Sequence, residues 1–367
     1  MKLVQNSFAQ LEINYRNLLH NYNYFRSKLR PATKMLILIK ANSYGHGAVE
    51  FATLMEKAGA EYFGVAHPVE GLELRQGGIV KTPIIVLTSG TDYFKELTEN
   101  NLEPSMPNME TLVAFDTYLK NNRISQYPVH IKLDTGMHRL GFMERELPLL
   151  MDFLKNTTRI KVKSVFTHLA ASDAPQHDEF TREQVELYEK LSGLLIASLG
   201  YTPMKHVLNS AGIERFPQYQ FDMVRLGIGI YGISVLDESL LKPAASLTCK
   251  IIQIKTLTPE DGTVGYGRHG KIVKEQKIAT LPLGYADGIN RHLGQGNASF
   301  LLNGHMVPTI GNICMDMFMV DITGVEAKTG DTVTIFGEKP TARELARILG
   351  TIPYEIFTSV SRRVKRT

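Results

Sequence analysis

The chain contains 367 residues, 43% of them hydrophobic, so it can form about two domains with a sizeable core. Its 41 lysines and arginines against 37 aspartates and glutamates leave a net charge of +4, which is too small to indicate a nucleic-acid partner. No signal sequence is evident, and no apolar run approaches the roughly 20 residues of a membrane span. The two cysteines, Cys249 and Cys314, fit a reducing compartment, although a single bridge between them stays open. We expect a soluble cytoplasmic protein that binds neither a membrane nor nucleic acid.

Short β-rich runs alternate with helix-like stretches over the first 240 residues. The predicted strands are 35–40, 62–66, 84–87, 102–105, 129–134, 162–167, 206–208 and 223–226. Apolar residues at helical spacing predict helices at 49–58, 109–119 and 179–199. Eight strands alternating with helices over this length predict an α/β domain at residues 1–240, folded as a (β/α)8 TIM-like barrel.

The pattern changes after Lys242 and Pro243. Predicted strands at 247–257, 277–283, 298–302, 306–310, 318–321 and 332–336 are separated by Gly, Pro, Asn and Asp, and one helix is predicted at 342–349. Residues 241–367 therefore form a mostly β domain. The basic cluster near its end, Arg362-Arg363 and Lys365-Arg366, favours a solvated tail.

Lys40 closes the apolar run 35–39 and opens the glycine-punctuated segment 41–47. An ammonium group at the edge of an apolar element has its charged form disfavoured, so the free amine becomes available to attack a carbonyl. This position indicates Schiff-base chemistry. The alternative is a lysine that caps a strand end and extends its charge into water.

In a (β/α)8 barrel the chemistry lies at the carboxyl ends of the strands. The side chains predicted there are Lys40, Asp134, Arg139, His168, Asn209, Ser210 and Arg225. Such barrels often bind phosphate in the loops after strands seven and eight, which here are 209–212 and 227–229. Each loop alone is also explained by ordinary turn chemistry. Together with a lysine at the first strand, they suit a phosphorylated aldehyde cofactor.

The sequence resembles the fold-type III, pyridoxal phosphate-dependent alanine racemases. The motifs that match are Lys40-Ala41-Asn42-Ser43-Tyr44-Gly45-His46-Gly47, Lys132-Leu133-Asp134-Thr135-Gly136-Met137-His138-Arg139-Leu140-Gly141, Thr167-His168, Asn209-Ser210-Ala211, Arg225-Leu226-Gly227-Ile228-Gly229-Ile230-Tyr231-Gly232, Val264-Gly265-Tyr266-Gly267, Leu283-Gly284-Tyr285-Ala286-Asp287-Gly288, Cys314-Met315-Asp316 and Tyr354-Glu355-Ile356. They run in family order across nearly the whole chain. The family's barrel and β domain agree with the pattern above.

The resemblance implies interconversion of L-alanine and D-alanine, supplying D-alanine for peptidoglycan, with Lys40 and Tyr266 as bases on opposite faces of the α-carbon. A phenol is a poor base at neutral pH, so the site must favour its phenolate. The residues implied to bind the cofactor are Lys40, Tyr44, Arg139, His168, Asn209, Ser210, Arg225, Gly227, Ile228 and Tyr354. Those implied to bind the substrate are Arg139, Met315 and Asp316. No metal is implied.

Three further roles follow from the resemblance. Arg225 would face the pyridine nitrogen of the cofactor and make the ring a weaker electron sink, with His168 fixing the arginine. An ordinary core histidine explains His168 nearly as well. Lys132 would carry a carbamate that positions Arg139, because an unmodified ammonium there would repel the arginine.

In the family the tyrosine base comes from a partner chain, so the resemblance also implies a homodimer with composite sites. A serine or broad-specificity racemase remains an alternative. A decarboxylase of the same fold is disfavoured by Arg225, and a non-catalytic pyridoxal phosphate-binding protein is disfavoured by the β domain with Tyr266.

Overall fold

The computed structural model describes residues 6–367. Contacts between residues divide the chain into two compact units. We call Leu19–Ser43 with Ala48–Lys242 the barrel unit, and the described chain up to Leu18 with Tyr44–Gly47 and Pro243–Thr367 the β unit. The predicted division at residue 240 lies close to the last of these boundaries. It differs at the start of the chain, because the first strand pairs with strands of the C-terminal part.

The described chain opens with strand β1 (Asn6–Ile13) and the helix Tyr15–Ser27. Eight strands of the barrel unit follow: β2 (Lys34–Leu38), β3 (Tyr62–Val65), β4 (Ile84–Val86), β5 (Leu102–Met106), β6 (Tyr127–Lys132), β7 (Ile160–Phe166), β8 (Met204–His206) and β9 (Met223–Leu226). They form one parallel sheet in the order β8-β7-β6-β5-β4-β3-β2-β9. Backbone hydrogen bonds from Asp222 to Lys205 and from Arg225 to Leu208 link its two end strands. The predicted eight-stranded barrel is confirmed.

Helices connect the barrel strands. They are Ala48–Lys57, Pro68–Gln76, Phe94–Glu99, Met109–Asn121, Leu147–Asn156, Asp178–Leu199 and Ser210–Arg215. The longest, Asp178–Leu199, buries Val185, Tyr188, Leu191 and Leu195, whose spacing places them on one helical face. It ends at Gly200, which has a φ of 72°.

The strands form the core of the barrel because their apolar runs are almost continuous, as expected for parallel strands covered on both sides. Residues 35–38 of β2 are all buried. Space in the interior is limited at Gly64 of β3, where an added Cβ would lie 2.7 Å from a Leu36 methyl group and 2.9 Å from a Leu38 methyl group. A larger side chain there would force the two leucines to move.

The β unit continues with β10 (Ala245–Lys250), β11 (Gln253–Leu257), β12 (Thr263–Val264), β13 (Gly270–Lys271), β14 (Gln276–Leu281), β15 (Ser299–Leu302), β16 (His305–Ile310), β17 (Phe318–Asp321), β18 (Thr332–Phe336) and β19 (Val364–Arg366). Nine strands form one sheet in the order β11-β14-β17-β16-β15-β18-β10-β1-β19, and β12 pairs with β13. The two helices of this part are Ala342–Leu349 and Pro353–Ser359. The predicted mostly β architecture is confirmed.

Two predictions for this part were wrong. The run 247–257 is not one strand: it breaks at residues 251–252, so that β10 pairs with β1 and β18 while β11 pairs with β14. The basic tail is not simply solvated, since β19 pairs with β1 and Arg363 forms ion pairs with Asp287 and Asp316. Among residues 6–367, no helix is long and apolar enough to cross a membrane.

Candidate active site

Lys40 follows β2 and begins a turn of unusual backbone conformation. The φ angles are 53° at Ala41 and Asn42, 56° at Ser43 and 52° at Tyr44. Each non-glycine residue in this left-handed region costs about 1–2 kcal/mol. Such strain persists only where the surrounding structure holds the segment, and it is typical of functional sites.

Side chains hold this turn on both sides of its strained residues. A Glu70 carboxylate oxygen accepts a hydrogen bond from the Ala41 amide at 2.6 Å. The Asn42 side-chain oxygen accepts one from the Ala48 amide at 3.0 Å. These contacts set the direction in which the backbone leaves Lys40.

Positive charge surrounds the amine of Lys40. Burial lowers the pKa of Lys40, Arg139 lowers it further, and Glu70 opposes them. Burial also lowers the pKa of Lys132 to about 8, with Arg139 and Arg225 acting in the same direction. A lowered pKa raises the fraction of neutral amine, which is the form that acts as nucleophile or base.

Asp134 shapes the loop that carries Arg139. Its Oδ1 accepts hydrogen bonds from the Gly136 amide at 3.1 Å and the His138 amide at 3.0 Å. Burial raises the pKa of Asp134, but the hydrogen bonds from His138 and Gly136 outweigh it, and the net pKa is lowered. The carboxylate is therefore ionised and holds the loop, while the Arg139 side chain is exposed.

Arg225 is held deep in the barrel unit, with only 2% of the residue exposed. Its Nη2 donates to the carbonyl oxygens of Thr167 at 2.7 Å and Val207 at 2.8 Å. Burial lowers its pKa to about 10, so it stays protonated at neutral pH. No carboxylate forms an ion pair with it within residues 6–367.

Two histidines accept hydrogen bonds from this guanidinium group. His168, which the sequence singled out, has its Nδ1 3.3 Å from Nη2 of Arg225. His206, which it did not, has its Nδ1 2.9 Å from Nη1. Burial lowers the pKa of both histidines well below the ordinary value, and Arg225 adds to this effect. Both are therefore neutral acceptors at neutral pH. Only the position of His206 at the carboxyl end of β8 could have indicated this contact from sequence.

The loops after β8 and β9 meet at Ser210. Its hydroxyl oxygen accepts hydrogen bonds from the amides of Gly227 at 2.9 Å and Gly229 at 3.2 Å. A serine oxygen has two acceptor positions and one proton, so this arrangement leaves the proton to donate. Asn209 caps the helix Ser210–Arg215 by accepting from the Gly212 amide at 2.9 Å. The two loops are thus tied together by Ser210, whose hydroxyl proton is left to donate to an anion.

The packing of the 227–229 loop against the helix Tyr15–Ser27 requires glycine at position 229. A Cβ there would lie 2.3 Å from the ring of Phe25. Ile228, between the two glycines, is buried.

In the β unit, two of the predicted cofactor-binding residues lie together. The rings of Tyr44 and Tyr354 are 5.8 Å apart between centroids. Tyr44 is buried, whereas Tyr354 is 40% exposed. The barrel unit does not contain either residue.

Tyr266 lies in the turn between β12 and β13, and 74% of the residue is exposed. The Asn312 side chain donates to its backbone carbonyl at 2.7 Å. Tyr266 lines a cavity of about 1040 Å³ together with Cys314, Met315 and Asp316. The structure therefore brings the predicted second base and the predicted substrate residues of the β unit to one cavity.

Two family models match the chain: "Alanine racemase, N-terminal domain" at residues 13–235 and "Alanine racemase, C-terminal domain" at residues 244–367. The chain belongs to the alanine racemase family. The resemblance drawn from the motifs is confirmed.

Relatives match this family member over almost its whole length. Alanine racemase 2 of Caldanaerobacter subterraneus subsp. tengcongensis is 34% identical to this chain. The alignment covers 98% of this chain and 94% of that relative. The alanine racemase of Methanococcus maripaludis is 36% identical and covers 97% of each.

Solved alanine racemases have the same fold. That of Clostridium difficile 630 matches with a TM-score of 0.92 at 36% identity, covering 98% of this chain and 95% of the other. That of Bartonella henselae, described with covalently bound pyridoxal phosphate, matches with a TM-score of 0.89 at 28% identity and covers 99% of each chain.

The barrel unit of this alanine racemase family member carries groups that fit pyridoxal phosphate. Lys40 offers an amine of lowered pKa for an aldehyde. Ser210 offers its hydroxyl proton to a phosphate, since its oxygen already accepts from the amides of the 227–229 loop. The hydrogen bonds of Arg225 to described residues engage its Nη1 and Nη2, which leaves Nε as the fixed donor for a ring nitrogen. In the residues that the structure describes, no group of His, Cys, Asp or Glu could hold a metal ion.

Proposed function

We propose that this alanine racemase family member interconverts L-alanine and D-alanine with pyridoxal phosphate and two bases, Lys40 and Tyr266. The observation that carries the proposal is the environment of Arg225, a buried guanidinium without an ion-paired carboxylate in the described part of the chain. A guanidinium keeps its proton, so it leaves a ring nitrogen opposite it largely unprotonated. This arrangement weakens the electron sink and favours racemisation over decarboxylation or transamination.

We assign three anchoring roles in the barrel unit. Lys40 holds the aldehyde carbon, Ser210 holds the phosphate, and Arg225 donates to the ring nitrogen. The other proposed cofactor contacts are Tyr44, Arg139, His168, Asn209, Gly227, Ile228 and Tyr354. Arg139 also holds the substrate carboxylate, and Met315 and Asp316 line the substrate entrance.

Bound pyridoxal phosphate supplies an electron-withdrawing ring that weakens the bond between the α-carbon of an attached amino acid and its hydrogen. Once its amine is released, Lys40 takes or returns the proton on one face of the α-carbon. Tyr266 does the same on the opposite face. Burial, with Arg139 acting in the same direction, lowers the pKa of Lys40 and so raises the fraction of neutral amine that can accept the proton.

The two bases lie in different compact units, which supports a homodimer in which Tyr266 and Met315 complete the partner's site. Chains with Lys40→Ala and chains with Tyr266→Phe should each be inactive. After subunit exchange, mixed dimers contain one complete site, so activity should return. Demonstrated exchange without recovery would contradict the composite site.

A phenol beside the substrate leaves room only for a small side chain, so Tyr354 supports alanine as the substrate. Tyr354→Ala should widen the range toward larger amino acids, and kcat/KM for serine relative to alanine measures the change. If the range stays the same, another residue sets the size limit.

The deciding experiment combines purified protein, pyridoxal phosphate and L-alanine in heavy water. Optical rotation and deuterium at the α-carbon are followed together. Racemisation with exchange would support the two-base reaction. A covalently bound cofactor without exchange or racemisation of alanine or serine would instead indicate a binding protein. We place the reaction in the cytoplasm, where D-alanine would supply peptidoglycan synthesis.

A further inference from the structure

A row of buried polar side chains crosses five neighbouring strands of the barrel. It consists of Glu103 on β5, His130 on β6, Ser164 on β7, His206 on β8 and Arg225 on β9. The distances between successive polar atoms are 2.8 Å, 2.6 Å, 2.8 Å and 2.9 Å. We call the first four residues the barrel relay.

Arg225 sets the direction of hydrogen bonding at its end of the relay, and a neutral His130 continues it to Glu103. Arg225 can only donate, so Nδ1 of His206 must accept. Because His206 is neutral, its proton lies on Nε2 and is donated to the Ser164 oxygen. Ser164 then donates to Nδ1 of His130.

The last step ends on a carboxylate. The Nε2 proton of His130 is donated to Glu103, whose side chain is 12% exposed. The hydrogen-bond dipoles are therefore aligned from the guanidinium to a negative charge four strands away.

This row is unusual for the interior of such a barrel, where branched apolar side chains normally fill the layers. Ser164, His130 and His206 are fully buried. Buried polar groups are tolerated when every member is satisfied, and a complete network fixes a unique arrangement. Here the fixed arrangement is the one that makes His206 an acceptor for Arg225.

We infer that the barrel relay is a positioning device for Arg225: Ser164 accepts the Nε2–H of His206 and holds its ring as an acceptor for the guanidinium, and the relay links this group to the negative charge of Glu103. Relay residues touch neither substrate nor cofactor in this scheme. They act by holding the Arg225 donor in place. The consequence for the reaction rests on the proposed function, whereas the positions of His206 and Arg225 do not.

Ser164→Ala breaks the relay at its centre, and Glu103→Gln removes the charge while keeping an acceptor for His130. Ser105→Ala is the matched control. Ser105 is a buried serine two residues from Glu103 on β5, and its hydroxyl has no hydrogen-bond partner in the described chain. The control therefore removes a buried hydroxyl without interrupting the relay.

The first readout is the ¹⁵N resonances of His206 in protein without cofactor, assigned by comparison with His206→Gln. The parent and Ser105→Ala should show the Nδ1 resonance of a nitrogen that accepts a hydrogen bond, whereas in Ser164→Ala this resonance should move toward that of an unbonded nitrogen as the ring turns from Arg225. An unchanged Nδ1 resonance of His206 in folded Ser164→Ala would overturn the inference, whatever the activity of the parent.

The second readout is steady-state racemisation together with the absorbance of bound cofactor. Ser164→Ala should lower kcat by about five- to tenfold, the equivalent of one lost hydrogen bond, with little change in KM. Glu103→Gln should give a smaller loss in the same parameter. If Ser164→Ala does not fold, Glu103→Gln, at the less buried end of the relay, is the variant that tests the inference. Equal effects of Glu103→Gln and Ser105→Ala on kcat and on the cofactor spectrum would count against the relay.

Discussion

The barrel unit and the β unit present their chemical groups differently. In the barrel unit, Arg225 and Ser210 are buried and bound by several hydrogen bonds each. In the β unit, Tyr266 and Met315 are 74% and 54% exposed. A rigid, buried set of donors suits a tightly held cofactor, whereas exposed side chains around a cavity suit a surface that is completed by another chain. The contrast supports the proposed composite site.

The largest expected effect comes from replacing Lys40 and tests the part of the site that lies in the barrel unit. Lys40→Ala should lower racemisation by at least about a thousandfold, because both the cofactor anchor and one base are lost. Borohydride reduction followed by peptide mass analysis should show no cofactor on the chain. Lys34→Ala, at the exposed start of the same strand, is the control and should keep nearly full activity. Comparable losses in both variants would mean that Lys40 has no special role.

The next largest effect comes from replacing Tyr266 and tests the part of the site that lies in the β unit. Tyr266→Phe should lower racemisation by about 10²- to 10⁴-fold, the usual contribution of a positioned acid or base. Deuterium exchange at the α-carbon of one enantiomer should continue, since Lys40 remains. Tyr93→Phe removes another exposed phenol and should have no effect. If Tyr266→Phe is equally harmless, the exposed Tyr266 is only a surface residue.

Much of the fold could be predicted from sequence because the parallel strands are continuous apolar runs and the helices have regular apolar spacing. Strand-end residues such as Lys40 and Arg225 could be found because barrel chemistry lies at those ends. Ser164 could not, and for His206 its place at the end of β8 was the one available signal. Their contacts depend on which residues of neighbouring strands lie opposite one another, and that register is not visible in the spacing along one strand.

The C-terminal tail also makes a contact that the sequence could not predict, between residues that are farther apart along the chain. Arg363 pairs with Asp287, 76 residues earlier, and the basic composition around it suggested only exposure to solvent. Composition describes only the average environment of a segment, whereas the environment of Arg363 depends on a single buried carboxylate, that of Asp287. The left-handed turn after Lys40 was equally hidden, because Ala41 and Ser43 have no intrinsic preference for positive φ.

A moderate effect concerns Lys132, for which we propose a carbamate formed from its neutral amine and carbon dioxide with release of one proton. Its pKa of about 8 leaves some neutral amine at neutral pH. With ¹³C-labelled bicarbonate, the parent should show a carbamate resonance that Lys132→Met lacks. Lys132→Met should also lose about tenfold in activity, because Arg139 loses an opposite charge. A bare amine at Lys132 under bicarbonate would exclude the modification.

The lowered pKa of unmodified Lys132 also predicts how the stability of the fold changes with pH. Its pKa of about 8 in the folded chain is below the roughly 10.4 of an unfolded lysine. The unfolded chain therefore binds more protons between these values, so stability rises with pH across that window. In buffer free of carbon dioxide, Lys132→Met should melt above the parent at pH 7, and the difference should shrink toward about pH 10. A constant difference would mean that the lysine is not buried as a cation.

The smallest expected effect comes from replacing Arg363, which connects the C-terminal tail to the exposed cavity of the β unit. Arg363 contacts the fully buried Asp287 at 2.5 Å and Asp316 at 2.7 Å, so it connects the last strand to the loop that carries Met315. Arg363→Met should destabilise the fold by about 1–3 kcal/mol, because it removes a partner of a buried carboxylate.

The loop then has more freedom, and KM for alanine should rise by about three- to fivefold while kcat changes less. Lys365→Met, which removes an exposed charge two residues further along, in β19, is the control for general effects of the tail. Urea unfolding and steady-state kinetics on both variants separate the two consequences. If Arg363→Met destabilises the fold without raising KM, the tail supports the β unit but does not position the cavity loop, and the exposed half of the site owes its geometry to the partner chain alone.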